Sequence, residues 1–416
     1  MGSSGIFPLL VLKWVQAVQG SIPLFFQKTG KESESLAKIE TINEVITTPE
    51  FNIMDFIRID NYQGEAEDIA KLYCKTYNIK AENMLTQLSY PYPEALDPAW
   101  INDKARSRNV IWKVVTDTRY DSVVGSGTVL LDRENQRAYV RGVMIDPEYQ
   151  KYKIGSKVLV NTFREIIQNY RDVIKIFWSE SRTAHSGSQK IAEDSGFFPV
   201  GFLPNKDIFL EKRESDLLLV LYAMNALKMR RRDPQIIPEV LPVYEVIAKQ
   251  YRLEPIVPVV VPPIHRNGHQ VKPYCKVDRY GYHHHIFCAY GEKLKLKVNP
   301  RTQVAEEASF SPDIEPVILN ALVGKALASL GHLYYMEFYA SAYRPAIQRV
   351  FADWKFKATG YIPGWNLVNG QREDAIIMSR VKESPPLSNM DLTDKSKRLV
   401  NAVLKSTFLK ESPTYP

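Results

Sequence analysis

The chain has 416 residues, 45% of them hydrophobic and 24% charged, which excludes a disordered or fibrous chain and supplies material for two cores. A net charge of +7 over that length permits an anionic partner without identifying one. Three cysteines, Cys74, Cys275 and Cys288, form no disulfide framework, which points to a reducing compartment and a cytoplasmic location.

The apolar run Ile6-Phe-Pro-Leu-Leu-Val-Leu12 is interrupted by Lys13, Gln16 and Gln19, short of the roughly 18–20 residues a membrane span needs. Residues 1–50 are therefore read as an extension with an amphipathic segment and no transmembrane span. Phe51 to Ile59 reads as a strand and Ala66 to Tyr77 as a helix, followed by a polar, proline-marked segment to Asn109. Strands Val110 to Thr116 and Ser122 to Leu131 flank a turn at Tyr120-Asp121.

A third strand, Arg137 to Ile145, stops at Asp146-Pro147 and passes through Glu148-Tyr-Gln-Lys-Tyr-Lys-Ile-Gly-Ser156 into a helix whose apolar residues recur at helical spacing. The first amides of such a helix lack intrahelical partners, and its dipole adds roughly half a positive charge, so an anion fits at that junction. Lys151, Lys153 and Lys157 strengthen the field. Next come a strand at Val173 to Ser179, a helix at Ser188 to Asp194, a Gly196-Phe-Phe turn and a strand at Leu217 to Tyr222.

Between Asp233 and Pro263 stand seven of the 26 prolines, which reads as a linker with one short helix at Val243 to Gln250. The basic run Lys228-Met-Arg-Arg-Arg232 is read as its solvated entrance rather than an RNA footprint, and nucleic acid is not an expected partner. Beyond the linker the pattern starts again. Ser188-Gln-Lys-Ile-Ala-Glu-Asp-Ser-Gly-Phe-Phe-Pro-Val-Gly-Phe-Leu-Pro204 aligns without a gap on Ile347-Gln-Arg-Val-Phe-Ala-Asp-Trp-Lys-Phe-Lys-Ala-Thr-Gly-Tyr-Ile-Pro363, with five identities. Strands at Gln303 to Phe310, Leu333 to Tyr339 and Asp374 to Ser379 and a helix at Ile314 to Leu330 complete the second unit, but Ser311-Pro-Asp-Ile-Glu315 replaces its basic loop, and acid there repels phosphate. The fold class is α/β in the layered α+β sense: two units, each a mixed, mostly antiparallel sheet flanked by helices. The expected divisions are 1–50, 51–222, 223–270, 271–382 and 383–416, with an amphipathic helix at Thr393 to Leu409 docking on the body.

Strand, Val143-x-x-x-Pro-x-x-Gln-x-x-x-x-Gly-Ser156, helix, strand, helix, Gly196-Phe, strand: this order resembles the GCN5-related N-acetyltransferases (GNAT), and the double copy resembles their tandem members. The resemblance implies acetyl-CoA or another acyl-CoA as cosubstrate, its pyrophosphate wrapped by Gln150, Lys151, Tyr152, Lys153, Ile154, Gly155 and Ser156. Lys153 stands where the family has its first glycine. The resemblance further implies that the strand end Val143, Met144, Ile145 splays from the following strand to admit the pantetheine arm, and that a backbone N–H stabilises the oxyanion formed when a primary amine attacks the thioester. The family's tyrosine acid maps onto Ala192 here and Phe351 in the second copy. Glu180 is the first candidate for the base and Tyr139 the second. His185, where the family has a cofactor-contacting asparagine, and Ser188 are polar candidates on the turn Ser181–Ser188. The expected function is N-acyl transfer to a small-molecule or protein amine. The alternatives are a Fem-like transferase using aminoacyl-tRNA and a non-catalytic acyl-CoA-binding sensor or assembly protein. Oligomeric state is left open.

Five of seven histidines and two of three cysteines fall between His265 and Cys288. Tyr282 to Tyr290 and Lys293 to Val298 read as a hairpin, whose alternation keeps adjacent histidines from meeting one ion, so no metal is expected.

Overall fold

The computed structural model describes residues 52–80, 90–170, 172–223, 225–265 and 270–407, and from Asn52 onward they cluster as one compact unit. The expected N-terminal segment, Phe51, His269 and Phe408 lie outside the described residues. Fourteen strands and eight helices of more than one turn are described. In chain order the first part contains β1 (Ile57–Asn61), α1 (Ala66–Thr76), α2 (Pro98–Ala105), β2 (Val110–Asp117), β3 (Ser122–Asp132), β4 (Arg137–Ile145), α3 (Ile154–Tyr170), β5 (Ile176–Arg182), α4 (Gly187–Asp194), β6 (Phe198–Phe209) and β7 (Lys212–Tyr222). The rest contains α5 (Leu241–Tyr251), β8 (Lys272–Val277), β9 (His283–Ala289), β10 (Glu292–Asn299), β11 (Val304–Ser309), α6 (Pro316–Leu330), β12 (Tyr335–Ser341), α7 (Pro345–Asp353), β13 (Lys357–Val368), β14 (Gln371–Val381) and α8 (Asp394–Thr407).

All fourteen strands form one mixed, mostly antiparallel sheet flanked by helices, in the order β1-β2-β3-β4-β5-β7-β6-β13-β14-β12-β11-β10-β9-β8. When β1 to β7 are matched to β8 to β14, the order is the same from either end. The exceptions to antiparallel pairing match as well, since β4 runs parallel to β5 and β11 parallel to β12. The stretches 51–222 and 271–382 thus contribute adjoining parts of a single sheet. At the seam, β6 and β13 share one registered pair, Gly201↔Gly360. A Cβ on Gly360 would stand 2.8 Å from the Gly201 Cα and 2.6 Å from Ile377 Cδ1, so only glycine lets the strands approach this closely.

Several elements depart from the expectations. Asn52 accepts from the Met54 amide and starts a short 3-10 turn at Ile53–Phe56, so the first strand begins only at Ile57. The proline-marked segment holds a helix, α2, because Asp97 caps the Ala99 amide and Pro98 stands at the first helical position. No strand was expected at β6 or β13, whose prolines read as breakers. Pro199, paired with Leu219, borders a bulge, and Pro204 and Pro363 fall in the second bulge of their strands, outside the registered pairs. The linker is packed rather than solvated: Ile236, Ile237, Val240, Val243, Tyr244 and Ile247 are all buried in the main core. Arg230 is buried too, bidentate to Asp374 and paired with Glu254, which removes it from any exposed basic footprint. The C-terminal helix docks as expected through Leu399, Val400, Val403 and Leu404. Among the described residues no helix is long and apolar enough to cross a membrane.

Candidate functional site

The site begins where two strands part. β4 and β5 pair in parallel from Arg137↔Ile176 to Val140↔Ser179 and no further, although β4 runs on to Ile145 and β5 to Arg182. Gly142, at φ +60° in β4, sits beside a register shift against β3 and bends the strand away. Beyond the fork, Met144 and Ile145 pair with Ser126 and Gly125 of β3, and no ladder joins Val143, Met144 or Ile145 to β5.

Below the fork the chain turns at Asp146, whose side chain caps the Glu148 amide and pairs with Lys75 at 2.7 Å. Pro147–Tyr152 make a 3-10 turn, and Gln150 donates back to the Ile145 carbonyl at 3.2 Å. Lys153 then takes φ +58° and ψ +25°, the left-handed conformation. Its backbone therefore does what a glycine would do, at a cost of about 1–2 kcal/mol for a residue with a Cβ. Helix α3 starts at once, at Ile154. Gly155 is buried, and a Cβ there would meet Ile145 Cγ1 at 3.6 Å and Ile191 Cδ1 at 3.7 Å, ordinary contacts that leave room for a methyl group and little else. Ser156 is half-buried, Gln150, Lys151 and Lys153 are exposed or nearly so, and the Lys151 ammonium lies over the Tyr152 ring.

Of the expected catalytic residues, Tyr139 and Glu180 come together at the fork. Tyr139 stacks on Trp178 with ring centroids 3.7 Å apart and planes 5° from parallel, and its hydroxyl faces Glu180 at 3.5 Å. Burial, reinforced by the Glu180 charge, holds the Tyr139 hydroxyl far above its ordinary pKa, so it stays protonated and can donate a hydrogen bond. His185 lies past β5 on a turn pinned by Asp391, which accepts from the Ser186 amide and hydroxyl, and Ser188 lies in the first turn of α4. Burial and then Arg182 push the His185 imidazole below its ordinary pKa, so it is neutral at pH 7. Ser188 Oγ is buried without a hydrogen-bond partner. Ala192, at the family's tyrosine position, is buried in the core, as is Phe351.

Glu180 is not a free carboxylate. It is bound at 2.8 Å by Lys206, an almost fully buried cation that lies 3.4 Å from Glu337 and 3.9 Å from Glu306. Burial raises Glu306 to about 8 against the pull of Lys206, and raises the neighbouring Asp207 to about 6. Asp207 accepts from the Tyr92 hydroxyl. Lys206 stands in the bulge of β6, between Leu203 and Asp207, and reaches β11 and β12 at the place where their own parallel pairing, Val304↔Tyr335 and Ala305↔Met336, comes to an end. The bulge of β13, between Ile362 and Asn366, sends Trp365 the other way, edge-on to Trp178 at 5.5 Å and stacked with Tyr339 at 5.9 Å. One part of the sheet thus closes its neighbour's fork with a cation and receives an aromatic ring at its own.

Two arginines lock the exchange. Arg213 donates to the Asn205 carbonyl in its own bulge and to the Thr302 carbonyl across the seam. Arg372 donates to the Gly364 carbonyl in its bulge and across the seam to the Asn135 carbonyl. Sequence reading missed Lys206, Glu306, Glu337 and Trp365. Pro204-Asn-Lys-Asp207 looks like a surface turn, and the available signal was Glu337, a charge within a strand buried on both faces.

No curated protein matches the chain. Among solved structures it is similar to ribosomal-protein-S5-alanine acetyltransferase from Vibrio fischeri, at 13% identity over 41% of this chain and 94% of that one, with a TM-score of 0.34. It is also similar to spermidine N-acetyltransferase from Vibrio cholerae in complex with CoA and spermine, at 13% identity over 41% and 96%, with a TM-score of 0.34. A third is the ribosomal-protein-S18-alanine N-acetyltransferase from Escherichia coli, at 13% identity over 40% and 94%, with a TM-score of 0.32. Residues 67–197, which span α1 through the end of α4 and contain the fork and the loop, match the model of the acetyltransferase (GNAT) family.

Proposed function

We propose that this protein is an acyl-CoA-dependent N-acyltransferase, with acetyl-CoA the first candidate donor, built from two GNAT-like units of which only the first keeps its donor site. The observation that carries the reading is the parting of β4 from β5 beyond Val140 and Ser179, directly above a loop whose last turn is left-handed at Lys153. The pyrophosphate sits at the start of α3 on the backbone amides of Ile154, Gly155 and Ser156, with Lys151 and Lys153 supplying charge. The pantetheine arm lies along the free edge of Val143 to Ile145, where a backbone N–H meets the thioester carbonyl and stabilises the oxyanion. The amine enters between Tyr139, Glu180 and Trp365. Glu180 receives its proton, and Lys206, 2.8 Å away, holds the carboxyl group in place. The tetrahedral intermediate then collapses to the amide, and the CoA thiolate takes up the proton that Glu180 received or leaves unprotonated.

The second unit supports one donor site per chain, since Lys206 fills its fork and Ser311–Glu315 replaces its basic loop. Isothermal titration with acetyl-CoA should find one site per chain. Lys153→Glu should weaken it at least about tenfold, since a charge reversal beside two phosphates exceeds the roughly 1.4 kcal/mol that factor represents. Gly155→Ala should bind as wild type does. No binding by the wild type overturns the reading. The sensor alternative draws on one observation, the engagement of Glu180 by Lys206, and is favoured if bound acetyl-CoA releases no CoA across a broad panel of primary amines.

A further inference from the structure

We infer that the β8–β9 hairpin carries a transition-metal site of the zinc class, with Cys275, His283 and His285 as ligands. The expectation of no metal assumed that three consecutive histidines point to alternating faces and so cannot share an ion. Alternation instead selects two of the three. His283 and His285 lie on one face, and His284 turns to the other, where its Nε2 meets Asp278 at 2.9 Å.

The strand pairing supplies the third ligand. Cys275 is the cross-strand partner of His285, which sets it on the same face. Ligand atoms of Cys275, His283 and His285 all lie within 4.8 Å of one another, and the Cys275 Sγ to His285 Nε2 separation is 3.7 Å. Tetrahedral geometry with a Zn–S bond near 2.3 Å and a Zn–N bond near 2.0–2.1 Å puts sulfur and nitrogen about 3.6 Å apart, so these two atoms already stand at the spacing of co-ligands.

The surroundings favour a cation over a bare thiol–imidazole contact. His285 is stacked on buried Phe287 at 6.2 Å and 9°, which orients its ring. A water would complete the tetrahedron in the fourth position. A thiolate with two imidazoles suits zinc, and cobalt(II) as its spectroscopic substitute, and does not suit magnesium or calcium. Bound there, the ion would staple the outermost strand, β8, whose residues are all exposed, to β9.

The test uses the full chain, expressed without a histidine tag. Elemental analysis should find close to one zinc per chain after dialysis against zinc-free buffer. Titration of the metal-stripped protein with Co2+ should give intense tetrahedral d–d bands together with a thiolate-to-cobalt charge-transfer band. Cys275→Ser should abolish the charge-transfer band, and His285→Ala should reduce zinc to background. Cys288→Ser and His284→Ala, which lie off this face, should leave both signals unchanged. Zinc-free wild-type protein with a featureless cobalt spectrum, or equal loading of wild type and the Cys275→Ser, His285→Ala double variant, overturns the site. None of these readouts depends on acyl transfer.

Discussion

Replacing Lys206 by methionine should destabilise the folded chain by about 3–5 kcal/mol at pH 8, the usual consequence of removing one partner from a buried ionic cluster. Glu180, Glu306 and Glu337 would be left facing one another without their shared cation. Denaturant titration followed by tryptophan fluorescence reads the change directly, because Trp178 and Trp365 lie beside the cluster. The pH dependence gives a second reading. Glu306 is raised in the folded chain from 4.5 to about 8, so between those values the folded state holds a proton the unfolded state has released. That contribution is fully present below the unfolded value and is lost as pH rises through the folded one, at a rate on the order of 1 kcal/mol per pH unit. Asp207, raised by burial to about 6, acts in the same direction over a narrower window. Wild-type stability from the cluster should therefore rise on acidification from pH 8 to pH 5, and the deficit of Lys206→Met should shrink over that interval as its carboxyls take up protons. A deficit that is constant with pH, or below about 1 kcal/mol, would show that the cluster is not electrostatically coupled as described.

The second large effect is steric. Gly360→Val should cost about 3 kcal/mol or more, at or above the upper end for overpacking. The atoms met by its Cβ are the Gly201 backbone at 2.8 Å and Ile377, wedged on the other side at 2.6 Å, so the neighbours cannot all move away. Gly155→Ala supplies the contrast, because a Cβ there makes only ordinary contacts and should change the thermal midpoint little. If both variants melt alike, the seam is not the tight junction that the geometry describes.

The elements around the fork were legible because periodicity changes sharply there. Arg137 to Ile145 is rich in β-formers, Pro147 stops it, and the apolar spacing from Lys157 onward is helical; the observed β4 and α3 follow those boundaries closely. β6 and β13 were illegible for the opposite reason. Their prolines and glycines serve bulges and the close approach at Gly201 and Gly360, and without the neighbouring strand such residues read as turns. β8 escaped notice because all six of its residues are exposed, so no apolar alternation marks it. In the candidate site, Glu180 and Tyr139 were found from their place after and before the fork, but the partner that determines the state of Glu180 is 26 residues further on in a bulge. In the histidine cluster the alternation rule has a second consequence, that every second residue shares a face, and this brings His283 and His285 together.

The seam also has a thermodynamic consequence. One registered backbone pair joins β6 to β13, and beside the continuous hydrophobic core side chains are exchanged across the seam: Lys206 and Arg213 in one direction, Trp365 and Arg372 in the other. Melting either part would strip the other of a counter-ion or of the ring that covers its fork. Neither can be lost alone without exposing buried charge in what remains. A body of this size would ordinarily unfold in stages. Here calorimetry should show one transition, with the directly measured enthalpy close to the van't Hoff value, as though chain length had been halved twice and the cooperative unit left whole.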